Sequence, residues 1–158
     1  MSFLFIGCDQ VTKSLAKEHL MNKEPKTYLN DTFRLEYVEN TGAFLSFGAD
    51  WSKGLSIIVF SILPLLFLIG LFIYSIVKSK DMSAINMFSL ALIFAGGVGN
   101  IIDRILHDRH VIDFMNVGIK NLRTGIFNVA DLCVTTGVIL LIFCYRKKPK
   151  EEPALPNS

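Results

Sequence analysis

The chain has 158 residues, of which 51% are hydrophobic and 19% charged, and its formal net charge at pH 7 is +2. This length is enough for a single domain, and the near balance of charge excludes a broad basic surface, so no nucleic-acid partner is expected. The charged residues are bunched and the apolar residues run together, which is typical of a membrane protein rather than of a soluble domain.

Cysteines and histidines form no metal-binding pattern in this sequence. Cys8, Cys133 and Cys144 are not spaced as metal pairs, and an odd number of cysteines cannot be fully paired within the chain. No His-Glu-x-x-His run is present. We therefore expect no metal site and no cofactor, and we interpret Cys133 and Cys144 as small apolar residues inside a membrane span.

Four stretches are predicted to be membrane helices, because crossing a bilayer core takes about 20 predominantly apolar residues of helix. The second and third stretches carry no charged side chain, and the fourth is interrupted only by Asp131. The predicted helices are residues 2–20, 55–77, 82–102 and 126–145.

The first of these helices is unusual because charged residues enter it early. Only eight residues precede Asp9, and they cover about 12 Å at the helical rise of about 1.5 Å per residue. That is less than half of a bilayer core. Either this span is abbreviated or the true start of the protein lies upstream.

The distribution of cations sets the predicted orientation. Four spans put both termini on one side, and the cation-rich turn at residues 78–81 and tail at residues 146–150 then share that side. Because cytoplasmic loops carry an excess of Lys and Arg, we place both termini in the cytoplasm. Residues 21–53 and 103–125 then lie outside.

The first outer loop is predicted to form strands. Residues 32–38 are apolar at every second position, and residues 40–44 follow as a turn and a return run. Residues 117–124 are interpreted as a surface segment. The predicted fold is an all-α integral membrane protein with four transmembrane helices and a small extracytoplasmic β-sheet, formed by residues 1–148, while the polar residues 149–158 are predicted to be a disordered cytoplasmic tail.

Four aspartates are the candidate functional residues. Ionisable side chains at membrane depth are costly and call for an explanation. In the four-span arrangement Asp9, Asp103, Asp113 and Asp131 all fall at the outer edge of the membrane, although they come from separate segments of the chain. The pattern therefore predicts a cluster of carboxylates in one layer.

Structural roles compete with functional ones for each of these acids. Asp9 is four residues before Lys13, in the favourable order for a helical ion pair, and Asp103 lies beside Arg104. An N-cap role competes for Asp113 or Asn128. Asn100 is expected to share a helix face with Asp103 and Arg104, since it lies three and four residues before them.

Asp113 and Asp131 each lie among apolar neighbours, which favours a partly dry site. Two carboxylates brought together in such a site do not both ionise readily, so one keeps a proton. Such a pair activates one water molecule by general base catalysis and protonates the substrate by general acid catalysis.

Three other function classes stay open from the residues alone. A small transporter or proton relay would use buried carboxylates distributed across membrane depth, and a membrane scaffold would not need them. A Ser–Lys peptidase would need a hydroxyl facing Lys13, but Thr12 and Ser14 are its immediate neighbours and do not face it on a helix.

Five blocks of the sequence resemble those of the bacterial lipoprotein signal peptidase (signal peptidase II) family. One block alone is weak evidence, whereas five in the same order on the matching spans are specific. The blocks are Asp9-Gln10-Val11-Thr12-Lys13, Asn40-Thr41-Gly42-Ala43-Phe44, the nine residues from Gly96 to Arg104, Val111-Ile112-Asp113-Phe114 and Phe127-Asn128-Val129-Ala130-Asp131.

The resemblance implies a four-helix membrane aspartic peptidase whose catalytic pair falls on Asp113 and Asp131. It implies no metal, and it implies location in the bacterial inner membrane with the active site at the outer face. The implied supporting residues, for substrate binding or site structure, are Asp9, Lys13, Asn40, Gly42, Asn100, Asp103, Arg104, Asn128 and Ala130.

The resemblance also implies the partners. The substrate would be a prolipoprotein that already carries diacylglycerol on its lipobox cysteine, met at the membrane lipid surface and cut just before that cysteine. The antibiotic globomycin, which inhibits the family, is expected to inhibit this chain.

Overall fold

The computed structural model of the chain describes residues 1–42, 48 and 50–146. Helices make up most of this part, and an antiparallel sheet lies at one end of them. The helices are α1 (Ser2–Leu20), α2 (Lys53–Ile57), α3 (Leu63–Val77), α4 (Ala84–Leu106) and α5 (Val129–Arg146), with a π-helical segment (Ile58–Ile62) that joins α2 to α3. The strands are β1 (Lys26–Tyr28), β2 (Phe33–Asn40), β3 (Val111–Ile119) and β4 (Leu122–Arg123).

The predicted helices are all present, with bounds that differ by a few residues. The first begins and ends where it was predicted, and the third extends to Leu106 rather than residue 102. Side-chain caps account for two of the starts. The Ser52 hydroxyl accepts a hydrogen bond from the Leu55 N–H, and the Ser83 hydroxyl accepts one from Asn86.

Within the described residues, two helical segments are long and apolar enough to cross a membrane: the continuous run Lys53–Val77 and α4. Large apolar side chains of α3 point away from the protein, with Phe67 61% and Ile73 55% exposed. Such an outward apolar surface suits lipid rather than water. The apolar part of α5, Val129–Cys144, is shorter, and the count of four spans stays a prediction.

The strands form a four-stranded antiparallel sheet in the order β1-β2-β3-β4. The strand predicted at residues 32–38 is confirmed as β2, whereas residues 43 and 44 of the predicted turn and return run, and the predicted tail, lie outside the described residues. Strand β3 is not predicted from the sequence, which indicates only a surface segment at residues 117–124. Residues 111–114 of β3 are all buried, so they are apolar on both faces apart from Asp113 and lack the alternation that marks a half-exposed strand.

Small residues let α4 and α5 approach closely. A Cβ built on Gly96 would overlap the carbonyl oxygen of Ala130 and lie 2.8 Å from a methyl carbon of Val134, and one on Gly137 would lie 2.6 Å from the carbonyl oxygen of Ser89. Interfaces between membrane helices use glycine for this purpose. The close approach sets the first turn of α5 against the later turns of α4.

The carboxyl-terminal end of α1 supports the sheet. Ala16 and Leu20 of α1 are buried together with Phe114 of β3, and apolar residues of β2, β3 and α5 pack against them. Farther back, the Ser2 hydroxyl lies 3.4 Å from the carbonyl oxygen of Ala91 in α4. Helix α1 therefore holds the sheet beside the carboxyl-terminal end of α4 and the amino-terminal end of α5.

We predict that Gly96→Ala destabilises the protein by about 1–3 kcal/mol, because the added methyl overlaps the Ala130 backbone and separates α4 from α5. Gly70→Ala on α3 is the matched control, since nothing lies within 4 Å of a Cβ at Gly70. Thermal unfolding of the detergent-solubilised variants measures the difference. Equal midpoints for the two variants would contradict the packing described for Gly96.

Candidate active site

The predicted catalytic aspartates come from different elements and line the same cavity. Asp113 lies on β3 opposite Val38 of β2, and Asp131 is the third residue of α5. The cavity has a volume of about 180 Å³ and is lined by Asn40, Gly42, Asn100, Arg104, Val111, Asp113, Ile126 and Asp131. The predicted meeting of the two carboxylates at one site is therefore present in the fold.

Every oxygen of the two carboxylates accepts a hydrogen bond from an N–H group. Asp131 accepts from the side-chain amide of Asn100 at 2.9 Å and from the backbone N–H of Asn128 at 3.1 Å. Asp113 accepts from the side-chain amide of Asn128 at 2.7 Å and from that of Asn40 at 3.2 Å. These bonds fix the orientation of both carboxylates, and Asn128 contacts each of them.

Asn128 and Asp131 cap the amino terminus of α5 reciprocally. The Asn128 side-chain oxygen accepts from the Asp131 N–H at 2.9 Å, while the Asp131 carboxylate accepts from the Asn128 N–H. This is the geometry of a capping box. The cap expected at Asn128 is confirmed, and the cap expected at Asp113 is wrong because Asp113 lies within a strand.

A buried lysine is linked to the pair through one intervening side chain, that of Asn100. Lys13 is 2% exposed, and its Nζ lies 2.8 Å from Asp9, 2.9 Å from Asp103 and 3.1 Å from the side-chain oxygen of Asn100. The ion pair predicted between Asp9 and Lys13 is confirmed. A buried ammonium with three acceptors has all its donors satisfied.

The two acids that bind Lys13 each hold the backbone next to one member of the pair. Asp9 accepts from the N–H of Ala130 at 2.9 Å, and Asp103 accepts from the N–H of Ile112 at 3.0 Å. Ala130 directly precedes Asp131, and Ile112 directly precedes Asp113. Lys13 thus forms ion pairs with both carboxylates that hold the backbone next to the catalytic candidates.

Arg104 has a different partner from the one its sequence position suggested. Its guanidinium donates to the carbonyl oxygen of Gly42 at 3.1 Å, whereas Asp103 forms its ion pair with Lys13. The Gly42 N–H in turn donates to the side-chain oxygen of Asn40 at 2.9 Å. Arg104 therefore holds the segment after β2 over the cavity, and its charge acts on both carboxylates of the pair.

Sequence reasoning missed Gln10. Its side-chain amide donates to Asp103 at 2.9 Å and lies 3.3 Å from the carbonyl oxygen of Gly99. The available signal was its spacing, since Gln10 comes three residues before Lys13 and so shares its helix face. All the supporting residues predicted from the resemblance belong to the same hydrogen-bonded network.

Comparison with known proteins identifies the family. The model of the family described as Signal peptidase (SPase) II matches residues 1–146. This chain belongs to the signal peptidase II family. The expected resemblance and the expected peptidase activity are thereby confirmed.

Relatives match the signal peptidase over most of its length. The lipoprotein signal peptidase of Borrelia duttonii is 35% identical over 144 residues, which cover 88% of this chain and 83% of the relative. That of Thermodesulfovibrio yellowstonii is 36% identical over 146 residues and covers 92% of both. A solved structure described as a bacterial membrane enzyme superposes with a TM-score of 0.79 at 29% identity, covering 96% of this chain and 91% of that one.

The pKa of Asp113 in this signal peptidase is raised to about 7. The largest cause is burial, which disfavours the charged carboxylate, and the negative charge of Asp131 adds to it. The hydrogen bonds from Asn40 and Asn128 oppose the shift. A substantial fraction of Asp113 therefore keeps its proton at neutral pH, as the acid of an aspartic pair requires.

We predict that Lys13→Met destabilises the signal peptidase by about 3–5 kcal/mol, because it leaves the buried Asp9 and Asp103 without their cation. Lys17→Met is the control, since Lys17 is exposed on the same helix, and its effect should stay within about 0.5 kcal/mol. Thermal unfolding in detergent tests both variants. If Lys13→Met unfolded at the same temperature as Lys17→Met, the ion pairs would carry no stability.

A second prediction concerns pH. The folded pKa of Asp113, about 7, lies above the ordinary pKa of an aspartate, so its stabilising contribution is complete below about pH 4 and is lost as pH rises through about 7. The unfolding free energy of the wild type relative to Asp113→Asn should fall by up to about 4 kcal/mol across this range. Unfolding of both proteins at several pH values measures this, and a difference independent of pH would refute it.

Proposed function

We propose that this chain is an aspartic endopeptidase that removes the signal peptide from diacylglyceryl-modified prolipoproteins, with Asp113 and Asp131 as its catalytic pair. The observation that carries this proposal is the shared cavity lined by both carboxylates, in which Asn128 donates to each. The names of the relatives, lipoprotein signal peptidases, support the substrate class. Cleavage on the amino side of the lipidated cysteine is what the family resemblance implies.

Within the pair, Asp131 is the base and Asp113 the acid. Asp131 accepts two N–H donors in the first turn of α5, where the helix dipole also favours a negative charge. Asp113 is more deeply buried, at 4% exposure, and its raised pKa favours the protonated form. Two neighbouring carboxylates in such different surroundings divide the acid and base roles between them.

The reaction uses one water molecule held between the two carboxylates. Asp131 takes a proton from this water as its oxygen attacks the carbonyl carbon of the scissile bond, and Asp113 gives its proton to the carbonyl oxygen. The resulting tetrahedral diol collapses when its C–N bond breaks. Asp131 donates its proton to the leaving nitrogen, and Asp113 recovers a proton from a hydroxyl of the diol. The products are a signal peptide with a new carboxyl terminus and a lipoprotein with a free amino group on its cysteine.

The proposed setting is the outer face of the bacterial inner membrane. We place both termini in the cytoplasm and the four long helical segments across the bilayer, so that the cavity opens at the level of the lipid head groups. The cation-rich turn between α3 and α4 supports this orientation. Apolar helix surfaces beside the cavity suit both a signal peptide helix and the acyl chains of the substrate.

The transporter or proton-relay alternative is not favoured. Its carboxylates would be spaced along a path across the membrane, whereas Asp9, Asp103, Asp113 and Asp131 belong to one hydrogen-bonded network. The family resemblance further implies inhibition by globomycin, which we expect to compete with the prolipoprotein for this cavity.

We predict that Asp113→Asn and Asp131→Asn each lower the turnover of a diacylated prolipoprotein by at least about 10³-fold, because removing either carboxylate removes half of the acid–base pair. Asp108→Asn is the control. Asp108 lies beyond α4, and its side chain is 76% exposed, so full activity is expected. Cleavage of a lipidated reporter by purified protein is the measurement, with thermal unfolding to show that each variant is folded.

The result against the proposal would be a folded Asp113→Asn or Asp131→Asn variant that keeps near-normal turnover. Loss of activity in the Asp108→Asn control as well would show that the assay responds to the outer surface in general rather than to the pair.

A further inference from the structure

We infer that Lys13 is a positioning residue for catalysis, which acts through the side-chain amide of Asn100 to present a fixed hydrogen-bond donor to Asp131. This inference rests on the proposed function of Asp131 as the base. It gives the buried lysine a role beyond its ion pairs, because a cation that does not contact Asp131 orients a hydrogen-bond donor to it.

The hydrogen bonds around Asn100 fix the direction of its side-chain amide. A lysine ammonium only donates, so the atom of Asn100 that lies 3.1 Å from Lys13 Nζ must be its oxygen. The amide nitrogen of Asn100 then has to point the other way, to the Asp131 oxygen at 2.9 Å. If Asn100 were turned over, an N–H group would face the ammonium and an oxygen would face the carboxylate, and both contacts would be repulsive.

The neighbouring amide of Asn128 is oriented by the backbone instead. Its oxygen accepts from the N–H of Asp131, and its nitrogen lies 3.3 Å from the carbonyl oxygen of Ile112. Asn128 also lies 3.1 Å from the oxygen of Asn100, but its two amide hydrogens are shared among three acceptors, and the shortest of these bonds, at 2.7 Å, goes to Asp113. Lys13 is thus the stronger constraint on Asn100.

The charges around Asp131 come from three elements. Asp113 of β3 and Arg104 of α4 interact with it directly through their charges, whereas Lys13 of α1 is connected to it through Asn100. Lys13 itself faces Asp9 and Asp103, which neutralise much of its field at a distance. The influence of Lys13 on Asp131 therefore passes mainly through the oriented amide of Asn100, which a direct bond couples to the carboxylate.

The consequence is a specific effect on the pH profile. Without the fixed donor, the charged form of the base loses a hydrogen bond that favours it, so the acid limb of the kcat/KM profile moves to higher pH. On that limb, a shift of one pH unit is about a tenfold loss of activity. Loss of Lys13 changes KM little, because Lys13 is buried and is not among the residues that line the cavity.

The experiment measures kcat and KM against pH with a lipidated peptide reporter for the wild type and two variants. Asn100→Leu removes the donor at similar volume. Lys13→Met combined with Asp103→Asn removes the lysine but keeps the net charge of the buried cluster, since one positive and one negative charge are lost together. Both should move the acid limb up by about one pH unit, and the double variant should keep KM within about twofold of the wild type.

If the acid limb of either folded variant stayed at its wild-type pH, the inference would be overturned. A lysine with a purely structural role would lower stability when removed but would leave the acid limb unchanged. If the double variant does not fold, Lys13→Arg takes its place, because arginine keeps a charged donor. It should retain the wild-type acid limb, and a displacement as large as that of Asn100→Leu would contradict the role of Lys13. The proposed function fails separately, through active Asp113→Asn or Asp131→Asn variants.

Discussion

The structure depends on one buried ammonium group shared by two carboxylates. The ammonium group of Lys13 is buried between the helices, where Asp9 and Asp103 neutralise its charge at distances of 2.8 and 2.9 Å. Any of the three charges left alone at this depth would cost several kcal/mol, so the three segments that bear them are held together. Each acid also accepts a hydrogen bond from a backbone N–H, Asp9 from that of Ala130 and Asp103 from that of Ile112. The ion pairs of Lys13 therefore set the positions of two chain segments that are distant in sequence, one at Ala130 and one at Ile112.

Precise placement of the catalytic candidates follows from this constraint. The residues whose backbone is held, Ala130 and Ile112, directly precede Asp131 and Asp113 in the chain. A displacement of either residue would therefore displace the carboxylate that follows it. The four carboxylate oxygens are then oriented by amides and backbone N–H groups whose donor and acceptor ends cannot be exchanged. Preorganised dipoles of this kind do not need to rearrange during the reaction.

The same network makes the two acids unlike. Asp131 lies in the first turn of α5, at the positive end of the helix dipole. Asp113 lies in the middle of a fully buried stretch of strand, where burial raises its pKa to about 7. The proposed division between base and acid follows from placing one carboxylate on a helix terminus and the other on a strand.

The sequence by itself determined those features that arise within one segment: the long apolar helices, the alternating strand β2, the Asp9–Lys13 pair at four residues and the cap at Asn128. The family blocks also located the two catalytic candidates. Only the tertiary structure decided that Asp103 pairs with Lys13 rather than Arg104, that residues 111–119 form a strand, and which way the Asn100 amide points. These features depend on contacts between residues far apart in the chain, such as Lys13 and Asn100, which are 87 positions apart. Helical and strand periodicity constrains only neighbours along the chain, whereas burial, which sets both the pairing of charges and the pKa of Asp113, exists only once the segments have packed.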